Sequence, residues 1–268
     1  MSQPTLTMII LGRNLQRLRL DAGMSQAQVA KRCRFSEAKL SSIENGKQRV
    51  TLFDVAGMCR VLGASPELTS QLERMSDEVD NPSWWEPYST YMLRDFAMFL
   101  ELEQACSELL IYESELITGL LQTEAYARAI HAVGPVLDQE GIEQALELRA
   151  QRQERFWART HPPRTVIIMH ESAVTRQVCD NDAEQRQAIV NRARFADIRV
   201  LPANPGAHPS MKGAYTILTS GIDEISDAVY TETMTGARYE SSAEVIDLCR
   251  MFFESTYKRS IPVEEFYS

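Results

Sequence analysis

The sequence predicts an all-α N-terminal domain of five short helices, over residues 8–77, followed by a larger α+β domain over 89–268. Three observations point there. Up to about residue 77, apolar residues recur at helical spacing between closely set capping residues. Beyond residue 89, short β-branched or alternating apolar runs are interspersed with longer helical stretches. The charge divides along the same line, because the net −9 of the 268 residues is not spread evenly. Residues 11–60 hold seven Arg and three Lys against Asp21, Glu37, Glu44 and Asp54, a net +6, so the remainder carries −15. A basic head on an acidic body is the asymmetry expected when only one domain meets phosphate.

The five helices follow from apolar spacing and caps. Leu11, Leu15, Leu18 and Ala22 mark the first, which Gly23 ends. Ser25 is a good N-cap for the second, with Val29 and Ala30 on its buried face. After Arg34-Phe35, Ser36 caps a third helix with Leu40 and Ile43 inside, and Asn45-Gly46 stops it. Thr51 caps a fourth that buries Leu52, Val55, Met58 and Leu62 and ends at Gly63. Pro66 sits in the first turn of the fifth, with Leu68 and Leu72 facing in.

Within this frame stand Ser25-Gln26-Ala27-Gln28-Val29-Ala30 and Ser36-Glu37-Ala38-Lys39-Leu40-Ser41-Ser42-Ile43-Glu44-Asn45-Gly46-Lys47. This run resembles the phage-repressor-like (XRE-type) helix-turn-helix family over most of residues 11–75. The resemblance implies that the second helix crosses the backbone of double-stranded DNA and the third lies in the major groove. Chemistry then assigns contacts. Ser25, Gln26 and the free N–H groups that open the second helix suit a phosphate. Glu37, Ala38, Ser41 and Ser42 are candidate base readers, since Glu accepts from cytosine, Ala touches a thymine methyl and Ser reads several edges. Lys39 suits a base or a phosphate, and Asn45, Lys47 and Arg49 resemble the family's backbone clamp. Arg19 and Glu44 occupy positions where the family forms an inter-helix ion pair, a structural role.

A turn-like Asn81-Pro82 and the run to Pro87 break the helical pattern, placing a linker at 78–88, and the paired Trp84 and Trp85 are expected to dock it onto the body. In the body, helices are expected at 91–103, 123–133, 138–158, 183–195 and 241–257, and strands at 108–112, 165–170, 198–201, 215–219 and 228–233. The second domain carries Tyr112-Glu113, the block Ile117-Thr118-Gly119-Leu120-Leu121-Gln122-Thr123-Glu124-Ala125-Tyr126-Ala127, Pro162-Pro163, Ile198-Arg199-Val200-Leu201-Pro202, Gly206-Ala207-His208 and Val229-Tyr230-Thr231-Glu232. Together they resemble the C-terminal domain of actinobacterial antitoxin-like, WhiJ-like regulators over roughly 85–260. Thr118 departs from that family, which places proline there and so a stiffer turn. The resemblance implies control through a small acidic partner protein.

Other functions find little support. The five cysteines are scattered with no CxxC pair, which fits reduced thiols in the cytoplasm rather than a disulfide framework or zinc site. His131, His161, His170 and His208 belong to no metal-ligand frame, and no phosphate loop, dinucleotide fingerprint or nucleophile elbow is present, so neither a cofactor, a metal nor a catalytic residue is expected. His170-Glu171 at a strand end is the best catalytic-looking pair, with a structural role the stronger reading. Gly206-Ala207-His208-Pro209 reads as a loop, and loops bind ligands. Residues 1–10 lack the basic start of a secretory signal, and no apolar run suits a bilayer, so no membrane is involved. The expected function is a transcriptional regulator acting as a homodimer on a palindromic operator, controlled through its body. The alternative is an antitoxin-like protein that mainly neutralises a small partner, and an enzyme tethered to DNA comes third.

Overall fold

Helix α1 (Leu6–Asp21) buries Leu11 and Leu15, and the chain leaves it through Gly23 at φ +65°. The computed structural model describes residues 6–80, 83–92, 95–133, 137–204, 206–220, 226–233 and 236–268, with backbone alone for Leu6 and 77–80. The expected linker pair Asn81-Pro82 lies outside them. The chain divides into two units, Met1–Glu86 and Pro87–Ser268.

In the first unit, α2 (Gln26–Cys33), α3 (Glu37–Glu44), α4 (Leu52–Leu62) and α5 (Pro66–Asp80) follow α1. Side-chain oxygens of Ser25, Ser36 and Thr51 accept N–H groups of Gln28, Lys39 and Asp54, so the caps that mark these helices in sequence close them in space. The core gathers Leu11, Leu15, Val29, Ala30, Leu40, Ile43, Val55, Met58, Leu62 and Leu72. One expectation fails at its edge: Ala22 lies beyond the end of α1 and is exposed, because Gly23 turns the chain there.

Two glycines set how closely α1 and α3 approach. A Cβ at Gly12 would collide with the Ile43 carbonyl oxygen and stand 2.9 Å from that of Glu44. Gly46, at φ +66°, brings the turn after α3 against Ile9, whose Cα would lie 2.7 Å from a Cβ. At that junction the buried Glu44 carboxylate accepts from Arg19 Nε at 2.6 Å, Arg19 Nη2 at 3.0 Å and Gln26 Nε2 at 2.8 Å. Arg19 Nη1 also donates to the Met24 carbonyl at 2.9 Å. One carboxylate thus ties α1, α2 and α3 together.

The second unit is a seven-stranded mixed sheet with helices. α6 (Phe96–Ala105) runs into the central β1 (Cys106–Glu113), and α7 (Glu124–Ala132) and α8 (Gln139–Trp157) cross to β2 (Arg164–His170). The short α9 (Glu171–Thr175) and α10 (Asp182–Arg192) cross to β3 (Asp197–Leu201). Then come β4 (Tyr215–Ser220), β5 (Ala228–Thr233), β6 (Gly236–Glu240), α11 (Ala243–Tyr257), β7 (Ile261–Pro262) and α12 (Val263–Phe266). The order is β6-β5-β4-β1-β2-β3-β7. Only β1–β2 and β2–β3 pair in parallel, as their helical crossovers require. Leu110, Tyr112, Val166, Ile168, Ile217 and Val229 pack against Ile246 and Phe253 of α11. Their alternates Leu109, Ile111, Ile167 and Met169 are also buried, so both sheet faces are covered.

All five expected strands and all five expected long helices of this unit form, with shifted ends. β6, β7, α9 and α12 were not anticipated. β6 alternates buried, half-buried and exposed positions weakly, and the other three span five residues or fewer. Between α6 and α8, the buried Glu103 accepts Arg152 Nε at 2.9 Å and Nη2 at 2.7 Å. Also on α6, Glu101 is buried with Oε2 unpartnered, and burial pushes its carboxyl up to about 8.

Arg19→Ala leaves the Glu44 carboxylate buried without its cation and is expected to cost about 3–5 kcal/mol of stability, read as a lowered urea midpoint. Gly12→Ala, which forces α1 from α3, is expected to cost about 1–3 kcal/mol in the same assay. For Glu101 the folded state keeps a proton that the unfolded chain loses at its ordinary, lower pKa. Its contribution therefore makes stability fall as pH rises from the ordinary carboxylate range to about 8. Glu101→Gln is expected to raise the melting temperature at pH 8 by several degrees and to change it little at pH 4, in paired thermal melts.

Candidate nucleic-acid interface

The hairpin of α2 and α3 presents a polar outer surface over an apolar floor of Val29, Ala30, Leu40 and Ile43. Its start is a full capping box: Ser25 Oγ accepts the Gln28 N–H at 3.2 Å, and Gln28 Oε1 accepts the Ser25 N–H at 2.8 Å. The first-turn N–H groups of Gln26 and Ala27 have no acceptor within the helix and carry its positive dipole end. Arg34, the C-cap of α2, takes a left-handed backbone at φ +59°, and its N–H returns to Ala30 O. That sharp exit sets the α2–α3 turn, with Phe35 packed beneath it.

On α3, Glu37 and Ala38 are exposed, and Ser41 and Ser42 are half-buried on the following turn. No hydrogen bond or ion pair engages the Glu37 carboxylate or the Ser42 hydroxyl among the described residues. The chain beyond α3 carries Asn45, Lys47 and Arg49, all exposed. Asn45 Nδ2 donates back to the Ser41 carbonyl at 2.7 Å, and the Lys47 N–H bonds the Ser42 carbonyl at 2.8 Å. The path of this segment is therefore fixed by α3 itself.

Two of the candidate contact residues have protein partners that the sequence did not signal. The Gln26 amide nitrogen is held by Glu44, leaving its oxygen and the helix start for other use. Lys39 Nζ lies 2.9 Å from Asp54 Oδ2 and 4.0 Å from the centre of the Phe35 ring. Asp54, one turn into α4, neutralises the cation and draws it toward α4. A lysine three residues into a recognition-like helix signals a DNA contact by position, and only the three-dimensional proximity of Asp54 reveals the competitor.

The catalytic-looking pair of the body has structural ties. His170 Nδ1 accepts the Ser172 N–H at 3.1 Å and caps α9, while Glu171 Oε2 accepts the Ala203 N–H at 2.7 Å. Among the described residues no helix is long and apolar enough to cross a membrane.

Residues 10–72 match the family described as a helix-turn-helix domain, and residues 96–265 match the family described as a domain of unknown function (DUF5753). A curated relative is the uncharacterized HTH-type transcriptional regulator y4dJ of Sinorhizobium fredii (strain NBRC 101917 / NGR234). It is 36% identical over 56 residues, which are 21% of this chain and 73% of its own length. Of solved structures, the clp gene regulator ClgR from C. glutamicum is 27% identical, covering 29% of this chain and 97% of its own at a TM-score of 0.24. The restriction-modification controller protein C.AhdI from Aeromonas hydrophila is 23% identical, covering 22% and 91%, at a TM-score of 0.22. This chain belongs to the DUF5753 family and carries at its N-terminus the helix-turn-helix domain of HTH-type transcriptional regulators.

Proposed function

We propose that this protein is a sequence-specific DNA-binding transcriptional regulator that acts as a homodimer on a palindromic operator and is controlled through its DUF5753 unit. The observation that carries the reading is the outer face of α3. Glu37, Ala38, Ser41 and Ser42 form a short row of small or hydrogen-bonding groups, backed by a fixed apolar floor. α3 inserts in the major groove with this row against base edges. The start of α2, with Ser25 and the Gln26 amide, meets phosphate, and Asn45, Lys47 and Arg49 grip the backbone beside the groove. Lys39 contributes positive potential from its place beside Asp54 and reaches DNA only by leaving that partner.

Two copies of α3 reading successive major grooves stand about 34 Å apart. Exposed Leu248 and Met251 on α11 support self-association of the second unit, since such side chains usually find cover in an assembly. The likeness of its sequence blocks to WhiJ-like regulators supports a second reading, capture of a small acidic protein by that unit. Co-expression with the product of a neighbouring gene separates the readings: one partner per chain, with loss of DNA binding, favours the second.

Genome-wide binding followed by selection on randomised duplexes yields the operator, whose two-fold symmetry the dimer reading requires. On that operator Lys47→Ala is expected to weaken binding to all sequences alike and to reduce the slope of log affinity against log salt by about 1. Ser42→Ala is expected to leave that slope unchanged and to relax preference at one base pair, by about 1–3 kcal/mol. A Lys47→Ala protein with altered base preference and an unaltered salt slope overturns the division of roles.

A further inference from the structure

The second unit carries a half-open cavity of about 630 Å³, within the range of small-molecule sites. Phe96 and Phe99 of α6, Ile111 of β1, Ile117, Leu148 of α8 and Tyr230 of β5 give it largely apolar walls. Into this space α8 also projects two arginines of different standing. Arg152 is neutralised by its two hydrogen bonds from Nε and Nη2 to Glu103. Arg149 is not: no carboxylate lies within ion-pair distance of it among the described residues.

The nearest polar partner of Arg149 is His131 on α7, whose Nε2 lies 3.3 Å from Arg149 Nη2. A guanidinium only donates, so the imidazole accepts and carries its own proton on Nδ1. Burial and the Arg149 charge both lower the His131 pKa, which keeps the ring neutral. The Nε of Arg149 is wholly buried and has no hydrogen-bond partner. Burial also pulls the guanidinium down to about 10, so it stays charged at neutral pH. Arg149 as a whole is half-buried and opens to the cavity, and a cation against apolar walls that no ion pair neutralises is a place for a bound anion.

Neither neighbouring acid forms an ion pair with Arg149, and the Glu232 charge acts on it only from farther off. Glu113, at the end of β1, lines the cavity and makes no hydrogen bond among the described residues. Burial, with the Glu232 charge nearby and against the pull of Arg152, pushes its carboxyl up to about 8, which weakens it as a counter-ion near neutral pH. Glu232 is exposed and accepts the Tyr230 hydroxyl at 3.2 Å. The wall opposite Arg149 has been cleared for it. Gly119 carries no side chain where a Cβ would overlap Arg149 Nη1 and stand 3.0 Å from Arg152 Nη1.

We propose that this cavity binds a small organic carboxylate with an apolar body, its charge held by Arg149 and its carbon skeleton by the Phe96, Phe99 and Tyr230 walls. A guanidinium offers two parallel N–H groups to such a carboxylate, and a protonated Glu113 adds a third donor. This gives a chemical class to the effector in the regulatory reading above. The site itself is tested without reference to DNA.

The probes are benzoate, phenylacetate and octanoate, set against benzamide, phenylacetamide and octanamide, each titrated at millimolar concentration into the full-length protein. Thermal melts and calorimetry are expected to show stabilisation by at least one acid and none by its matched amide. Arg149→Gln is expected to weaken that acid about 10- to 100-fold, with Arg149→Lys intermediate. Should Arg149→Gln fail to fold, Ala145→Phe, which fills the cavity from α8, must abolish binding in a protein whose circular dichroism is unchanged. Equal binding of acids and amides, full affinity in Arg149→Gln, or no stabilisation by any acid overturns the proposal. In a parallel arm, the bound acid is added to the operator complex. A changed operator affinity supports the regulatory link, whereas acid binding with unchanged affinity upholds the site and overturns that link alone.

Discussion

A buried polar group must find a partner, and that requirement organises both units. Its clearest instance is Glu44, at 1% exposure, which accepts three hydrogen bonds from two helices other than its own. An ion pair of this kind adds little net stability, because desolvating both charges offsets their attraction. What it supplies is geometry. With Arg19 and Gln26 both fixed on one carboxylate, and Gly12 letting the backbones close, α3 has one rotation about its own axis. That rotation sends Leu40 and Ile43 inward and turns Glu37, Ala38 and Ser42 outward. Base reading needs side chains placed to a fraction of an ångström, and the pair works at that level rather than through its net energy.

The same requirement explains the Ile117-to-Thr123 block of the second unit, a non-helical turn with its backbone polar groups under α8 and α10. Gln153 Nε2 donates to the carbonyls of Gly119 and Gln122, Trp157 Nε1 to that of Leu120, and Gln185 Nε2 to that of Leu121. Within the block, Gln122 Nε2 serves the Ile117 carbonyl, and the Tyr126 hydroxyl accepts the Ile117 N–H. Thr118 is buried here and its carbonyl takes the Leu121 N–H at 2.9 Å, so the turn closes without proline. This sequence block is thus the floor over which Arg149 is laid.

How much of this the sequence disclosed depends on the range of the interaction. Caps act over three residues, and Ser25, Ser36 and Thr51 all accept the N–H that local chemistry assigns them. Apolar alternation disclosed β1 to β5 for the same reason. Of the contacts across long sequence separations, Arg19 with Glu44 was legible through the family frame alone, whereas Lys39 with Asp54, Arg152 with Glu103, and Arg149 with Gly119 require the fold before their meaning exists. Position on the third helix suited Lys39 to a base or a phosphate, and position does not show that Asp54 stands beside it. The helix expected at 138–158 carries no sequence mark of a cavity, yet it holds the two arginines that line it.

The cavity differs from Glu44 and from the turn in one respect that gives it functional content. In those two places the charged groups and the backbone carbonyls under α8 and α10 are met by the chain, so no ligand is required of them. At Arg149 the chain leaves a cation without an ion-pair partner among the described residues, beside a Gly119 whose missing side chain makes room for it. Leaving that cost in the fold is understandable if a ligand removes it, because a ligand bound only by the folded state stabilises that state by mass action. Regulation then demands one thing more. A bound acid alters DNA affinity only to the extent that the DNA-bound and free forms of the protein hold it differently, and by linkage DNA must alter acid affinity by the same factor. Tight binding alone does not make an effector, since an acid held equally by both forms fills the cavity and leaves the operator untouched.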